Sequence, residues 1–71
     1  MLKPGIYEHY KGGEYKVICI AYHEDTHEPN IVYQALYGDK VIYFRPLDEF
    51  RETVQNSGTE MPRFKWLRET E

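Results

Sequence analysis

Short runs of β-branched and aromatic residues alternate with clusters of glycine, proline and asparagine along the chain. The clusters fall at Gly12-Gly13, Pro29-Asn30, Gly38-Asp39 and Asn56-Ser57-Gly58. Glycine, proline and asparagine favour turns, whereas Val, Ile, Tyr and Phe favour extended backbone. The pattern therefore predicts an antiparallel β-meander of short strands.

The runs between these turns give the predicted strands, at residues 6–10, 14–23, 30–37, 40–45, 52–55 and 60–64. One segment departs from the pattern, because Pro46 is followed by Leu47, by two acidic residues and by Phe50. Proline is favoured at the first position of a helix and acids in its first turn, so one short helical turn is predicted here. Residues 65–71 fit either a segment pinned by Trp66 and Leu67 or a frayed tail.

Two of the predicted strands are apolar on both faces, at residues 17–22 and, apart from Gln34, at residues 33–37. A strand that is covered on both sides is a central strand, as in a small bent sheet that closes on itself. The predicted fold is therefore all-β, a small SH3-like barrel of about five antiparallel strands with one short helical turn. An OB-like barrel is the alternative, although it usually needs a longer chain.

The length of 71 residues fits a single domain over residues 1–71. A domain of this size buries only about 60% of the surface of its unfolded chain, so its core has to be dense. Aromatic residues make up 15% of the chain and offer large areas for burial. We therefore expect a core built mainly from rings, with Cys19 as a small filler because it lies in the most apolar run.

Net charge and cysteine content narrow the class of protein. The formal net charge is -3, which disfavours general binding to nucleic acids, because such binding depends on Lys and Arg. A single cysteine forms no internal disulfide, and a cytoplasmic location is expected. No apolar segment resembles a signal peptide or a membrane span, so no association with a membrane is expected.

Four segments, taken in order, resemble a known family. They are GIYEHYKGG at residues 5–13, VYQALYGD at residues 32–39, RPL at residues 45–47 followed by Phe50, and PRF at residues 62–64. Together they resemble the small, largely bacterial domain-of-unknown-function family numbered 1653. The resemblance covers residues 4–64 and leaves residues 65–71 as a C-terminal extension. It implies a compact β domain and implies no activity, because none is established for the family.

The sequence HEDTH at residues 23–27 matches the H-E-x-x-H pattern of zinc proteases. That pattern binds zinc when a helix places both histidines on one face, whereas this copy lies in a polar loop without helical periodicity. His23, Asp25, His27 and Glu28 could supply a looser set of metal ligands, but a solvated acidic loop is the favoured interpretation. Neither a metal nor a cofactor is predicted, and no catalytic motif is present.

The candidate ligand-binding residues are polar side chains interleaved with aromatic ones: His9, Tyr10 and Lys11 at the first hairpin, Tyr33 and Gln34 on a predicted central strand, Arg45 at the end of the next strand, and Arg63 beside Phe64. Tyrosine and arginine together suit recognition, because rings stack and the guanidinium group donates paired hydrogen bonds. The first hypothesis is a non-enzymatic module that binds a peptide, a protein partner or a small anionic ligand. A structural role competes with it for each residue, since Arg45 could equally pair with Asp48 or Glu49.

Arg63, Lys65, Trp66 and Arg68 form the one stretch in which basic and aromatic residues are mixed. Such a stretch suits single-stranded nucleic acid, because rings stack on bases while cations face phosphates. The alternative function is therefore a nucleic-acid-binding accessory domain. The same alternation also fits a last strand whose rings point inward and whose charges point outward.

A small enzyme is the third hypothesis, with His9 as an acid/base group and Arg45 as an anion holder. It ranks last because no pair of nucleophile and base is visible in the sequence. As to partners, an uncovered edge strand would allow self-association, so either a monomer or an edge-strand homodimer is expected.

Overall fold

The computed structural model describes residues 2–70 and arranges them as strands with one helical turn. In chain order these elements are β1 (Ile6–His9), β2 (Glu14–Tyr22), β3 (Pro29–Ala35), β4 (Ile42–Pro46), α1 (Leu47–Phe50), β5 (Thr53–Asn56), β6 (Thr59–Pro62) and β7 (Phe64–Arg68). The predicted all-β class and the predicted helical turn after Pro46 are therefore confirmed. Within the same residues, no helix has the length and apolar character that a membrane crossing requires.

All strand pairs are antiparallel, and they form two separate sheets. The larger sheet has the strand order β4-β3-β2-β1-β7, and the smaller is the hairpin β5-β6. Because β5 and β6 pair with each other instead of bridging β4 and β7, the larger sheet stays open. The predicted SH3-like barrel is therefore not confirmed, and β4 and β7 are edge strands.

The number of strands also differs from the prediction of about five. The predicted strand at residues 60–64 is divided, because β6 ends at Pro62 and β7 begins at Phe64. Arg63 lies between them, and its backbone joins the two sheets: its N–H donates to the carbonyl of Glu52 (2.8 Å), and its carbonyl accepts from the N–H of Tyr10 (2.9 Å). The segment predicted as an undecided tail therefore contributes β7, a full member of the larger sheet.

The core lies on one side of the larger sheet, which we call the inner face. Alternation along the strands points Tyr7, Ile31, Tyr33 and Phe64 to this face, where they pack against Phe50 of α1. The rings of Phe50 and Phe64 stack in parallel with their centroids 4.2 Å apart. The expectation of a core made mainly of rings is thus met, because four of these five residues are aromatic.

The opposite side of the sheet, the outer face, is open to solvent. Residues 17–22 were expected to be covered on both sides, but the end of β2 is exposed on both: Cys19 lies opposite Val32 on the outer face, whereas Ile20 lies opposite the buried Ile31 on the inner face. Cys19 is also exposed, so the expectation that it fills the core is wrong. The physical reasons are that α1 packs on the inner face mainly against β3 and β4, away from the end of β2, and that no second layer formed by residues 2–70 covers the outer face.

The first and last described segments are held together beside β1. The indole N–H of Trp66 donates to the carbonyl of Pro4 (3.1 Å), and the ammonium of Lys3 lies 3.6 Å from the centre of the same ring. Gly5 lies close to β7 with a φ of +141°, a backbone conformation that residues other than glycine rarely adopt. A Cβ at this position would meet the carbonyl oxygen of Arg68 at 2.4 Å.

We expect Phe50→Ala to lower the free energy of unfolding by about 3–5 kcal/mol, because it removes a ring that is 1% exposed and leaves a cavity against Phe64. The matched control is Phe44→Ala, since Phe44 is 74% exposed and its loss should cost about 0.5 kcal/mol or less. Urea unfolding followed by circular dichroism measures both. Equal costs for the two variants would contradict the assignment of the core.

We also expect Gly5→Ala to destabilise the domain more than Gly12→Ala. Both glycines have a positive φ, and placing alanine there costs about 1–3 kcal/mol from backbone strain alone. Only at Gly5 does the added Cβ also overlap a neighbouring backbone oxygen, since at Gly12 nothing lies within 4 Å of it. The difference between the two melting temperatures isolates the close contact with β7, and indistinguishable values would argue against that contact.

Candidate functional site

A small concave site lies on the inner face beside the core, and we call it the inner pocket. Its volume is about 150 Å³, and its lining consists of His9, Tyr15, Tyr33, Tyr43, Arg45 and Phe64. Strand register explains why these residues meet, because His9 lies opposite Phe64 and Tyr33 lies opposite Tyr43. Residues from five strands, β1, β2, β3, β4 and β7, therefore share this one site.

The walls of the inner pocket are aromatic and held in place by one another. The ring of Tyr15 packs edge-on against Tyr33, with centroids 5.5 Å apart, and against Phe64 at 5.8 Å. The hydroxyl of Tyr15 is hydrogen-bonded to that of Tyr37. Burial and this hydrogen bond, together with neighbouring tyrosines, raise the pKa of Tyr15 to about 12. Tyr15 is therefore a neutral, oriented phenol at physiological pH.

Arg45 brings a positive charge to the pocket from the end of β4. Its Nε donates to the hydroxyl of Tyr33 (3.4 Å), and its Nη1 lies 3.3 Å from Oε1 of Glu49, one turn further along the chain. The hydrogen bond to Tyr33 is the main reason that the pKa of Arg45 is raised. Part of the guanidinium group thus holds α1 in place, as the structural interpretation of Arg45 expected. Its second terminal nitrogen, Nη2, makes no hydrogen bond to residues 2–70.

His9 is the titratable base of the pocket. Its Nδ1 accepts a hydrogen bond from the backbone N–H of Lys11 (3.1 Å), so the neutral ring carries its proton on Nε2. Burial lowers the pKa of His9, and the charges of Arg45, Arg63 and Lys11 lower it further. His9 is therefore neutral at pH 7 and offers one N–H donor.

Arg63 lies next to the pocket, at the junction of the two sheets. One of its terminal nitrogens, Nη2, pairs with Glu52 at 2.7 Å. Its Nε is buried and has no hydrogen-bond partner among the described residues. A buried donor without an acceptor is costly in a folded protein, but Arg63 does not line the inner pocket and acts on it only through its charge.

The structure brings together some of the predicted ligand-binding residues and separates others. His9, Tyr33 and Arg45 meet in the inner pocket, with Arg63 close enough to act on His9. Tyr10 and Lys11 instead line a wider cleft of about 410 Å³ that also includes Met61 and Pro62 and shares His9 with the pocket.

Gln34 belongs to neither site, because β3 turns it to the outer face. There its amide donates to the carbonyl of Lys40 (3.0 Å), which closes the turn before β4. Tyr15, Tyr43 and Phe64 line the inner pocket but were not among the predicted site residues. Strict alternation along β2, β3 and β4 is the signal that could have found Tyr15 and Tyr43, since it places them on the same face as Tyr33.

The four residues of the nucleic-acid hypothesis do not form one basic surface. Arg63 pairs with Glu52, and Arg68 pairs with Glu14 at 2.7 Å. Trp66 is half-buried beneath Lys3, which leaves that ring face unavailable for stacking on a base. Lys65 lies on the outer face opposite Glu8, away from the side on which Trp66 packs.

In the loop that carries the HEDTH sequence, His23 has a structural role. It joins β2 to β3 as a turn, not as a helix. The N–H groups of Asp25 and Thr26 donate to Nδ1 of His23, at 3.2 and 3.3 Å, so this histidine orders the turn. Within residues 2–70, no three His, Cys, Asp or Glu side chains are grouped so that they could hold a metal ion.

Comparisons with known proteins support the resemblance to the family numbered 1653. The family model described as a protein of unknown function (DUF1653) matches residues 5–66. The crystal structure of a protein belonging to DUF1653 from Bordetella bronchiseptica is similar to this chain, with a TM-score of 0.87 and 32% sequence identity. The similarity covers 99% of this chain and 92% of that one. No curated protein matches the sequence.

We expect the imidazole of His9 to titrate below its ordinary pKa of 6.5, because burial and three nearby cations disfavour its charged form. The unfolded chain then binds more protons below about pH 6.5, so the domain loses stability as the pH falls from there towards the pKa of the folded state. Arg45→Gln should raise the pKa of His9. NMR titration of the ring protons measures it.

The control for this titration is Lys16→Gln, which removes one positive charge from the outer face and should leave the pKa of His9 unchanged. A pKa of 6.5 or above for His9 in the unmodified protein would contradict the described geometry.

Proposed function

This chain belongs to the DUF1653 family of proteins of unknown function, and we propose that it is a non-enzymatic binding module that holds a small anionic ligand in the inner pocket. One observation carries this proposal. Two guanidinium groups, those of Arg45 and Arg63, lie close enough to His9 to lower its pKa, beside a rigid aromatic pocket. Each guanidinium group pairs with one half-exposed carboxylate, that of Glu49 or Glu52, and a bound anion would give Arg45 a second partner.

The donors around the pocket match the chemistry of a carboxylate or a phosphate. Arg45 offers its Nη2, and neutral His9 offers its Nε2–H. Hydrogen bonds from charged donors to an anion are about twice as strong as neutral ones. At about 30 Å³ per water molecule, the pocket has room for a group of about five waters, which is the size of a small acid.

The same geometry supports binding over catalysis. Nδ1 of His9 is engaged by the backbone of Lys11, and Tyr15 keeps its proton at neutral pH because its pKa is about 12. Within the inner pocket, no serine, cysteine or carboxylate lines the wall beside His9 as a nucleophile. The residues are arranged to hold a ligand by fixed donors.

We expect inorganic phosphate and acetate, added at low ionic strength, to shift the backbone NMR signals of His9, Tyr33 and Arg45 in a saturable manner. Arg45→Gln should weaken binding by about 10- to 100-fold, because it removes a charged hydrogen bond worth about 1.5–3 kcal/mol. Binding of acetate should tighten as the pH is lowered towards the pKa of His9, since a bound anion favours the charged imidazole, whereas phosphate itself gains a proton in this range.

The matched control is Arg68→Gln, which removes an arginine that pairs with Glu14 on β2 and lies outside the inner pocket. Equal weakening by both variants would mean that the anions respond only to net charge and would defeat the proposal. A single-stranded oligonucleotide serves as a second probe. Shifts confined to Trp66 and Arg68, with none at His9, would favour the nucleic-acid alternative instead.

A further inference from the structure

β4 is an edge strand whose free side has a defined set of backbone groups. The N–H of Ala35 donates to the carbonyl of Val41 (3.0 Å), so Val41 points its carbonyl towards β3. Hydrogen-bonded and non-hydrogen-bonded pairs alternate in an antiparallel ladder, so Tyr43 and Arg45 also bond to β3. The N–H and carbonyl groups of Ile42 and Phe44 therefore point away from the sheet.

The side chains of β4 do not protect this edge. Proteins usually guard an edge strand with charges, bulges or a cover. The other edge, β7, carries Lys65 and Arg68 and pairs with β1 through an irregular register. In contrast, residues 41–44 are Val-Ile-Tyr-Phe, and each of them is exposed.

We propose that this edge is an interface with a second copy of the chain, formed by antiparallel pairing of β4 with β4 about a two-fold axis at Tyr43. In this register, Ile42 lies opposite the partner's Phe44, and Phe44 lies opposite the partner's Ile42. Each of these pairs exchanges two backbone hydrogen bonds, so the outward groups of both residues are satisfied. The two open sheets then become one continuous sheet.

A second copy suits this edge because the edge is complementary to itself. Pro46 has no N–H and lies on the free side, so the donors end at Phe44. Ile42 and Phe44, which are separated by one residue, can pair with the Phe44 and Ile42 of a second chain that runs in the opposite direction. A two-fold interface uses one surface patch twice, which is the commonest symmetry of soluble dimers.

The area available sets the strength of this interface. Val41, Ile42, Tyr43 and Phe44 are 45%, 57%, 44% and 74% exposed. At about 200 Å² for a fully exposed large side chain, burying these four residues in both copies removes at most about 900 Å² from water. Specific interfaces below about 1,200 Å² belong to weak or transient complexes. The expected dimer is therefore weak and dependent on concentration.

The interface also lies next to the inner pocket. Tyr43 and Arg45 alternate along β4 with Ile42 and Phe44, and their side chains line the inner pocket. In the proposed pairing, the partner's Tyr43 lies beside Tyr43 at the rim of the same face. The pairing rests on β4 alone and does not depend on whether the pocket binds an anion.

Sedimentation equilibrium between about 10 μM and 1 mM protein covers the range in which weak dimers dissociate. We expect the average mass to rise from monomer towards dimer over this range. Phe44→Lys should keep the mass at monomer, because it places a positive charge of each copy beside the two-fold axis, and lysine on an edge strand opposes pairing. The matched control is Gln55→Lys, which adds the same charge at an exposed position of β5 and should leave self-association intact.

Amide hydrogen exchange tests the pairing residue by residue and also reports whether each variant is folded. The amides of Tyr43 and Arg45 should be protected at all concentrations, because they bond to β3. Those of Ile42 and Phe44 should become protected only as the concentration rises. A monomer mass throughout would overturn the proposal. It would also be overturned by a dimer that persists in Phe44→Lys and leaves the amides of Ile42 and Phe44 unprotected.

Discussion

The stacking of Phe50 on Phe64 is the contact on which the rest of this structure depends. α1 is too short to be stable by itself, and its buried residue is Phe50. Phe64 is the first residue of β7 and a wall of the inner pocket. One contact between two rings therefore fixes the helical turn, the last strand and one side of the site. Because Arg45 reaches Glu49 of α1, the same contact also helps to position a guanidinium group.

The sequence predicted the class of the fold from local chemistry, but not how the strands are connected. Three of the four turn clusters marked turns between strands, whereas Pro29-Asn30 begins β3, and Pro46 with its following acids marked α1. The closed barrel was inferred from apolar runs such as residues 17–22, on the assumption that apolar residues on both faces imply cover on both faces. That assumption failed because residues 2–70 form one short helix, which packs on one side of the sheet over β3 and β4 and leaves the end of β2 exposed. The sequence also did not reveal that the predicted strand at residues 60–64 is divided at Arg63. This division depends on backbone hydrogen bonds from Arg63 to residues beside both sheets, which no local sequence pattern indicates.

The candidate site was only partly predictable for a related reason. His9, Tyr33 and Arg45 stood out as polar residues interleaved with aromatic ones, and three different strands bring them together. Their aromatic partners Tyr15 and Tyr43 were missed, because their role depends on which residues lie opposite each other across neighbouring strands. Sequence shows alternation within a strand, whereas register between strands is set by turns and packing.

The pairing of β1 with β7 also governs how this domain can fold. β1, β2, β3 and β4 follow one another through local hairpins, so their pairing needs only short loops to close. β7 reaches β1 only after the rest of the chain has been brought round, and closing so long a loop carries a large entropic cost before any contact offsets it. Because Phe64 belongs to β7, the core of the meander β1–β4 is incomplete until β7 has paired with β1. Long-range closure, and not hairpin formation, should therefore limit the folding rate.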